Sequence, residues 1–176
     1  MKLLAIETAT PCVACALWSE DGPVASFALA GGQRHAEVLM PAADELCRRA
    51  GWSVADLDGV AVDVGPGLFT GLRVGLATAN TIAMARGVPA AGVTSLEALA
   101  HPHRRRQGLL AAVVDARRGE VYGALYENEK TDSGEGGAGH VPREVRPPVV
   151  ASPDVVADEL ARLSESLGGE VLAVGD

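Results

Sequence analysis

Aromatic side chains are nearly missing from this chain: two Trp, two Tyr and two Phe make up 3% of its 176 residues. Hydrophobic residues still reach 48%. The core must therefore be Ala, Val and Leu, which favours helices packed closely on sheet. Cysteine is scarce too. Three cysteines, an odd number in no framework, exclude a disulfide scaffold and point to reduced thiols. Cys12-Val13-Ala14-Cys15 does spell C-x-x-C, but it lies in an alternating segment that runs to Trp18. Residues three apart on a strand face opposite ways, so the pair reads as small buried hydrophobes and not as a redox or metal motif. Positive charge is in deficit: 15 Lys and Arg against 23 Asp and Glu leave a formal charge of −8. A chain of that sign does not by itself grip a nucleic-acid backbone. No apolar run approaches the ~20 residues of a membrane span. Glu7 interrupts the N-terminus too early for a secretory signal. The expectation is a soluble, cytoplasmic chain with no membrane contact.

What is present is a clear order of elements. Lys2–Ile6, Pro11–Trp18 and Val24–Ala30 read as three strands, with a hairpin turn at Glu20-Asp21-Gly22-Pro23. His35–Arg49 reads as a helix: Leu39, Ala42, Ala43, Leu46 and Cys47 form one stripe, Gly51 ends it and Pro41 should bend it. Ser53 to Asp56 has a capping-box pattern. Gly59–Val64 is a fourth strand, Thr70–Arg86 a second helix, Val88–Val93 a fifth strand and Ser95–Ala100 a short helix. Leu109–Asp115 and Val121–Tyr126 follow as strands about a turn. Thr131–His140 reads as a mobile surface loop, Ser152-Pro153-Asp154 starts a last helix ending near Gly168-Gly169, and Glu170–Val174 is a final strand. No internal repeat is visible. Composition gives α/β and no more.

The densest signal is Gly65-Pro66-Gly67-Leu68-Phe69-Thr70-Gly71-Leu72-Arg73-Val74-Gly75. A strand, a tight turn and a helix start make a recurring anion-binding arrangement, because the first helical N–H groups point outward. Thr70 is the expected N-cap. Gly65, Gly67, Thr70, Gly71 and Arg73 are candidates to touch a phosphate; a sharp structural turn is the plainer reading. Gly71, Gly75, Ala79 and Ala83 recur every four residues. Such a column admits either a partner helix or the domain's own sheet.

The whole undecapeptide resembles the GPGSFTGLR-type signature of the TsaB (YeaZ-like) family. Met1–Thr10, Arg34-His35-Ala36-Glu37-Val38-Leu39-Met40-Pro41 and Asp115-Ala116-Arg117-Arg118-Gly119-Glu120-Val121-Tyr122 fit the same family in the same order. The resemblance covers Met1 to about Tyr126. Leu68 stands where the signature usually has Ser, and Glu7 where it usually has Asp. The end at Val174-Gly175-Asp176, just past a strand, is the pattern of a chain cut short.

The resemblance implies an actin-like ASKHA fold, a ribonuclease-H-like mixed sheet with helices on both faces. The expected division is an N-terminal lobe over 1–100 and a smaller, incomplete one over 101–176. It also implies a non-catalytic partner of TsaD in forming threonylcarbamoyladenosine in tRNA, acting with the ATPase TsaE, with tRNA met only through the complex. TsaD and TsaE are the implied partners, with a homodimer when TsaD is absent. The implied interface is His35, Leu39, Ala43, Leu46, Gly71, Gly75, Ala79 and Ala83, on two helices that bundle with the partner.

Rival chemistry has specific requirements. An ASKHA phosphotransferase would use the hairpin Glu7-Thr8-Ala9-Thr10 for ATP, with Thr8 and Thr10 as further phosphate candidates, and needs a second full lobe. The extra methylene of Glu7 would disturb Mg²⁺ geometry, which is strict. A metallopeptidase needs ligands the chain does not offer: His35 is followed four residues on by Leu39, and His101 and His103 have no third partner nearby. No metal and no cofactor of its own is expected; ATP or ADP belongs to the complex. The run Arg104–Arg106 reads as a solvated basic turn or as a contact for RNA or an acidic partner. Asp115–Tyr122 is a hairpin tip or a charged rim.

Overall fold

Alternating small apolar residues at the N-terminus pair into three consecutive strands, β1 (Lys2–Glu7), β2 (Val13–Ser19) and β3 (Gly22–Leu29). Both pairings are antiparallel, and Pro23 lies inside β3, opposite Trp18, and not in the connecting turn. The computed structural model describes residues 1–31, 34–128, 142–167 and 170–175. The chain divides into two compact units, Met1–Thr94 and Ser95–Asp176.

In the first unit β4 (Gly59–Asp63) joins β1 in parallel and β5 (Ala90–Val93) joins β4, also in parallel. The strand order is β3-β2-β1-β4-β5. Helices α1 (His35–Arg49) and α2 (Phe69–Arg86) supply the crossovers. Leu39, Ala42, Ala43, Leu46 and Cys47 of α1 and Ala79 and Ile82 of α2 join one core with Leu4, Ile6, Val13, Cys15, Leu17, Val60 and Val62. These strand residues alternate along β1, β2 and β4, so both helices cover the same sheet face. Pro41 lies on the exposed side of α1, and the helix runs through it. Cys15 is buried, and desolvation, then the neighbouring Cys47, pushes its thiol up to about 11. Cys47 is buried as well and its thiol is raised, while Cys12 stays partly exposed.

The second unit starts six residues earlier than the sequence division at 100/101, because Leu96 and Ala100 of α3 (Ser95–Ala100) are buried in its core. Its strands are β6 (Gly108–Arg117), β7 (Glu120–Asn128), β8 (Arg143–Ala151) and β9 (Val171–Gly175). They lie in the order β8-β7-β6-β9, with β6–β7 and β7–β8 antiparallel and β6–β9 parallel. That is the arrangement of β3-β2-β1-β4 a second time, a repeat of topology that the sequence does not display. Here helices cover both faces. α3 packs on Leu110, Ala112, Val114, Ala124 and Tyr126. Leu160 and Leu163 of α4 (Pro153–Leu167) pack on Leu109, Ala111 and Leu125. Each unit by itself is the expected α/β arrangement, a mixed sheet with helices packed on it.

Strand β8 is absent from the sequence reading. Pro147 and Pro148 lie within it and argue against a strand, yet β8 is at the sheet edge, where a missing N–H costs little, and its pairing slips beside them. The segment Thr131–His140 and the helix end at Gly168-Gly169 lie outside the described residues.

Candidate functional site

β1 and β4 pair in parallel as far as Ile6 and Val62, so the next residues, Glu7 and Asp63, end the two strands side by side. Glu7 Oε1 accepts the N–H groups of Ala9 at 2.7 Å and Thr10 at 3.1 Å, which shapes the hairpin tip. Asp63 Oδ1 accepts the Gly65 N–H at 2.6 Å, which shapes the turn into α2. The two carboxyl groups also hydrogen-bond to each other. Burial, then that bond and the charge of Asp63, pushes Glu7 up to about 8. Two carboxyl groups in such contact hold one proton between them. Asp63 escaped the sequence reading; the available signal was an acid ending one parallel strand in register with Glu7.

The hairpin tip is tied down from the helix side. Thr8 is fully buried and its hydroxyl donates to the Gly71 carbonyl at 2.9 Å. The Leu68 N–H donates to the Ala9 carbonyl at 2.6 Å. His35, buried at the start of α1, has Nε2 2.9 Å from the Thr10 carbonyl oxygen. Thr10 Oγ1 accepts the Cys12 N–H at 3.2 Å, closing the turn locally. Glycine is required where these parts meet: a Cβ at Gly67 would strike the Ala9 carbonyl, and one at Gly71 the Thr8 carbonyl.

This geometry relocates the phosphate candidates. Thr8 and Gly71 are bonded to each other, and Gly67 faces the hairpin backbone. The Gly65 N–H is held by Asp63, and Thr10 serves its own turn. Thr70 is not the N-cap. The helix begins at Phe69 behind Leu68, whose carbonyl accepts the Leu72 N–H, and no side chain caps it. Thr70 and Arg73 are exposed on the first turns, and the Arg73 guanidinium lies over the Phe69 ring, 4.1 Å from its centroid.

The interface residues implied by the resemblance need the same correction. His35, Leu39, Ala43, Leu46, Gly71, Gly75, Ala79 and Ala83 are all buried in their own unit. A Cβ at Gly75 would meet Thr8, Val62 and Ile6, so the small-residue column takes up the hairpin and sheet, not a partner helix. The outward sides of the same two helices carry Met40, 39% exposed, Phe69, 66% exposed, and Met84, 83% exposed.

In the second unit Asp115 Oδ1 accepts the Arg117 N–H at 2.7 Å, as Glu7 accepts Ala9 in the first. Arg118 and Gly119, both at positive φ, form the two-residue turn that follows. Among the described residues no three His, Cys, Asp or Glu gather as metal ligands, and no helix is long and apolar enough to cross a membrane.

Residues 29–140 match the family model described as TsaD, tRNA N6-adenosine threonylcarbamoyltransferase. The chain is 33% identical over 99% of its length to the tRNA threonylcarbamoyladenosine biosynthesis protein TsaB of Escherichia coli, of which it covers 71%. It is 37% identical to the Bacillus subtilis protein of the same name over 72% of this chain and 56% of that one. The solved structure of YeaZ from Pseudomonas aeruginosa superposes with a TM-score of 0.74 at 29% identity, over 86% of this chain and 68% of that one. With a relative above 30% identity along nearly its whole length and a matching architecture, the chain belongs to the TsaB (YeaZ-like) family.

Proposed function

We propose that this chain works in the biosynthesis of threonylcarbamoyladenosine in tRNA as a non-catalytic subunit that binds TsaD and, with the ATPase TsaE, supports the transfer that TsaD carries out. The observation that carries this reading is the locked hairpin. To hold a phosphate, a glycine loop and the turn beside it must keep their backbone N–H groups open to the ligand. In this chain Gly67 and Gly71 receive the carbonyls of Ala9 and Thr8, and Thr8 bonds to the helix. Glycine loop and hairpin thus satisfy each other, which suits a scaffold. ATP or ADP then belongs to the other members of the complex.

The docking face is the outward side of α1 and α2, where Met40, Phe69 and Met84 stand exposed next to helices whose inner sides are already packed. Exposed apolar residues of this size on adjacent helices mark an interaction surface. When TsaD is absent the same face joins two copies of the chain. Tagged protein expressed in its host should bring TsaD down with it, and alone it should form no threonylcarbamoyladenosine on tRNA. Failure to retain TsaD, or robust turnover with TsaD rigorously excluded, would overturn the reading.

A further inference from the structure

We infer that Met84 is an oxidation site: conversion of its thioether to the sulfoxide by a peroxide releases the docking face, with Met40 on the neighbouring helix as a second, slower site. The inference rests on the docking face proposed above. The chain has three methionines, and none is in the core: Met1 is 57% exposed, Met40 39% and Met84 83%. Methionine ordinarily fills gaps inside a protein. Here Met84 is the most exposed large apolar side chain among the described residues.

The second observation is what surrounds it. Ala77, Asn80, Thr81 and Met84 are all exposed and fall at the spacing of one helix face. The first three side chains are short and uncharged, and the Thr81 hydroxyl already donates to the Ala77 carbonyl at 2.7 Å. A partner surface can therefore come close to this strip, with Met84 as its one large apolar anchor. On α1, Met40 is likewise the one large apolar side chain that stands exposed, beside Glu37, Pro41 and Asp44. The opposite side of α2 is buried through Ala79, Ile82 and Ala83, so a change at the Met84 sulfur leaves the core alone.

The step needs only an open sulfur lone pair. That pair attacks one oxygen of hydrogen peroxide and the O–O bond breaks. The proton on the transferred oxygen passes to the departing hydroxide, which leaves as water. Sulfur loses two electrons and the peroxide gains them. Thiolates compete for the same oxidant, but Cys15 and Cys47 are buried, and burial raises both thiols. Among the thiols only Cys12 is partly open. The product at Met84 is a polar, strongly accepting S=O group where an apolar anchor stood. Shut against a partner that offers no donor, it should weaken association about ten- to hundred-fold. Docking covers Met84, so the oxidant acts on the free chain and the assembled one is shielded.

The test treats the full chain with hydrogen peroxide, alone and in complex with TsaD, and then removes thiol lesions with dithiothreitol. Peptide masses should show one added oxygen at Met84 ahead of Met40 in the free chain, and little at Met84 in the complex. The oxidised chain should bind TsaD more weakly by the factor given above while its melting temperature stays the same. Methionine sulfoxide reductases should restore the binding. The double variant Met40→Leu, Met84→Leu carries no thioether on either helix and keeps only Met1, so peroxide should leave that variant's own affinity where it was. Unchanged affinity once Met84 is oxidised overturns the proposal. So does an equal loss in the leucine variant, which would place the lesion elsewhere, and so does a Met84 that peroxide oxidises as fast in the complex as in the free chain. Retention of TsaD by the untreated chain reads the proposed function separately: binding that peroxide does not touch sinks only the oxidation site.

Discussion

Glu7 and Asp63 share a hydrogen bond across the ends of β1 and β4, and each at the same time holds the backbone of its own turn. Two turns far apart in sequence are therefore joined through one proton. The free energy of that proton links the fold to pH. Glu7 titrates near 8 in the folded chain and near 4.5 when unfolded. Its folded pKa is raised, so the unfolded state binds fewer protons between those values and stability falls as pH rises.

The first prediction follows from that sign. Unfolding by urea at pH 5, 6.5 and 8 should show stability declining by on the order of 2 kcal/mol, a discounted figure for a group that is only partly buried. Glu7→Gln mimics the protonated form and should flatten the profile, being more stable than the parent at pH 8. A parent profile that rises over this window would contradict the shared proton.

Overpacking of the glycine column gives the second prediction. Gly71→Ala places a methyl group against the Thr8 carbonyl, which is backbone and cannot swing away. The cost should reach the upper end of about 1–3 kcal/mol, or exceed it. Ala79→Leu, at a fully buried position of the same column, should likewise lower the melting temperature. TsaD binding should fall only in proportion to the unfolded fraction.

The outer face should behave in the opposite way. Phe69→Ala and Met84→Ala remove exposed side chains, so stability should change by no more than about 0.5 kcal/mol. As apolar anchors of the proposed interface, each should weaken TsaD association by roughly tenfold, about 1.4 kcal/mol. Pull-down and melting curves on the same proteins separate the two faces of α2.

A fourth prediction concerns the hairpin between β6 and β7. Arg118 stands at φ 59 before Gly119 at φ 80. Asn tolerates that conformation better than Arg, so Arg118→Asn should stabilise the chain by a few tenths to about 1 kcal/mol, read as a rise in melting temperature.

Where local chemistry decided the outcome, the sequence was readable. The α1 stripe gave the helix and its buried residues, and Ser152-Pro153 marked the start of α4. Tertiary context decided the rest. The direction of the Gly71–Ala83 column could not be read from its spacing, because a hairpin 63 residues away in sequence fills it through Thr8. The N-cap is Leu68, whose carbonyl accepts the Leu72 N–H while its own N–H donates to Ala9 of the distant hairpin, a contact that no local pattern reveals. The Glu7–Asp63 pair depends on parallel register, which no local pattern reveals. β8 carries prolines that only an edge tolerates, and the repeated strand order is written in topology alone.

The burial of two of the three thiols has a practical meaning at the bench. A thiolate is the species that alkylates, and a thiol raised to about 11 is almost wholly protonated at neutral pH. Cys15 and Cys47 are also shielded by the core, whereas Cys12 sits at the hairpin beside Thr10. To a maleimide the native chain therefore presents a single address. A dye attached there would report on the join between hairpin and helix without any engineered residue.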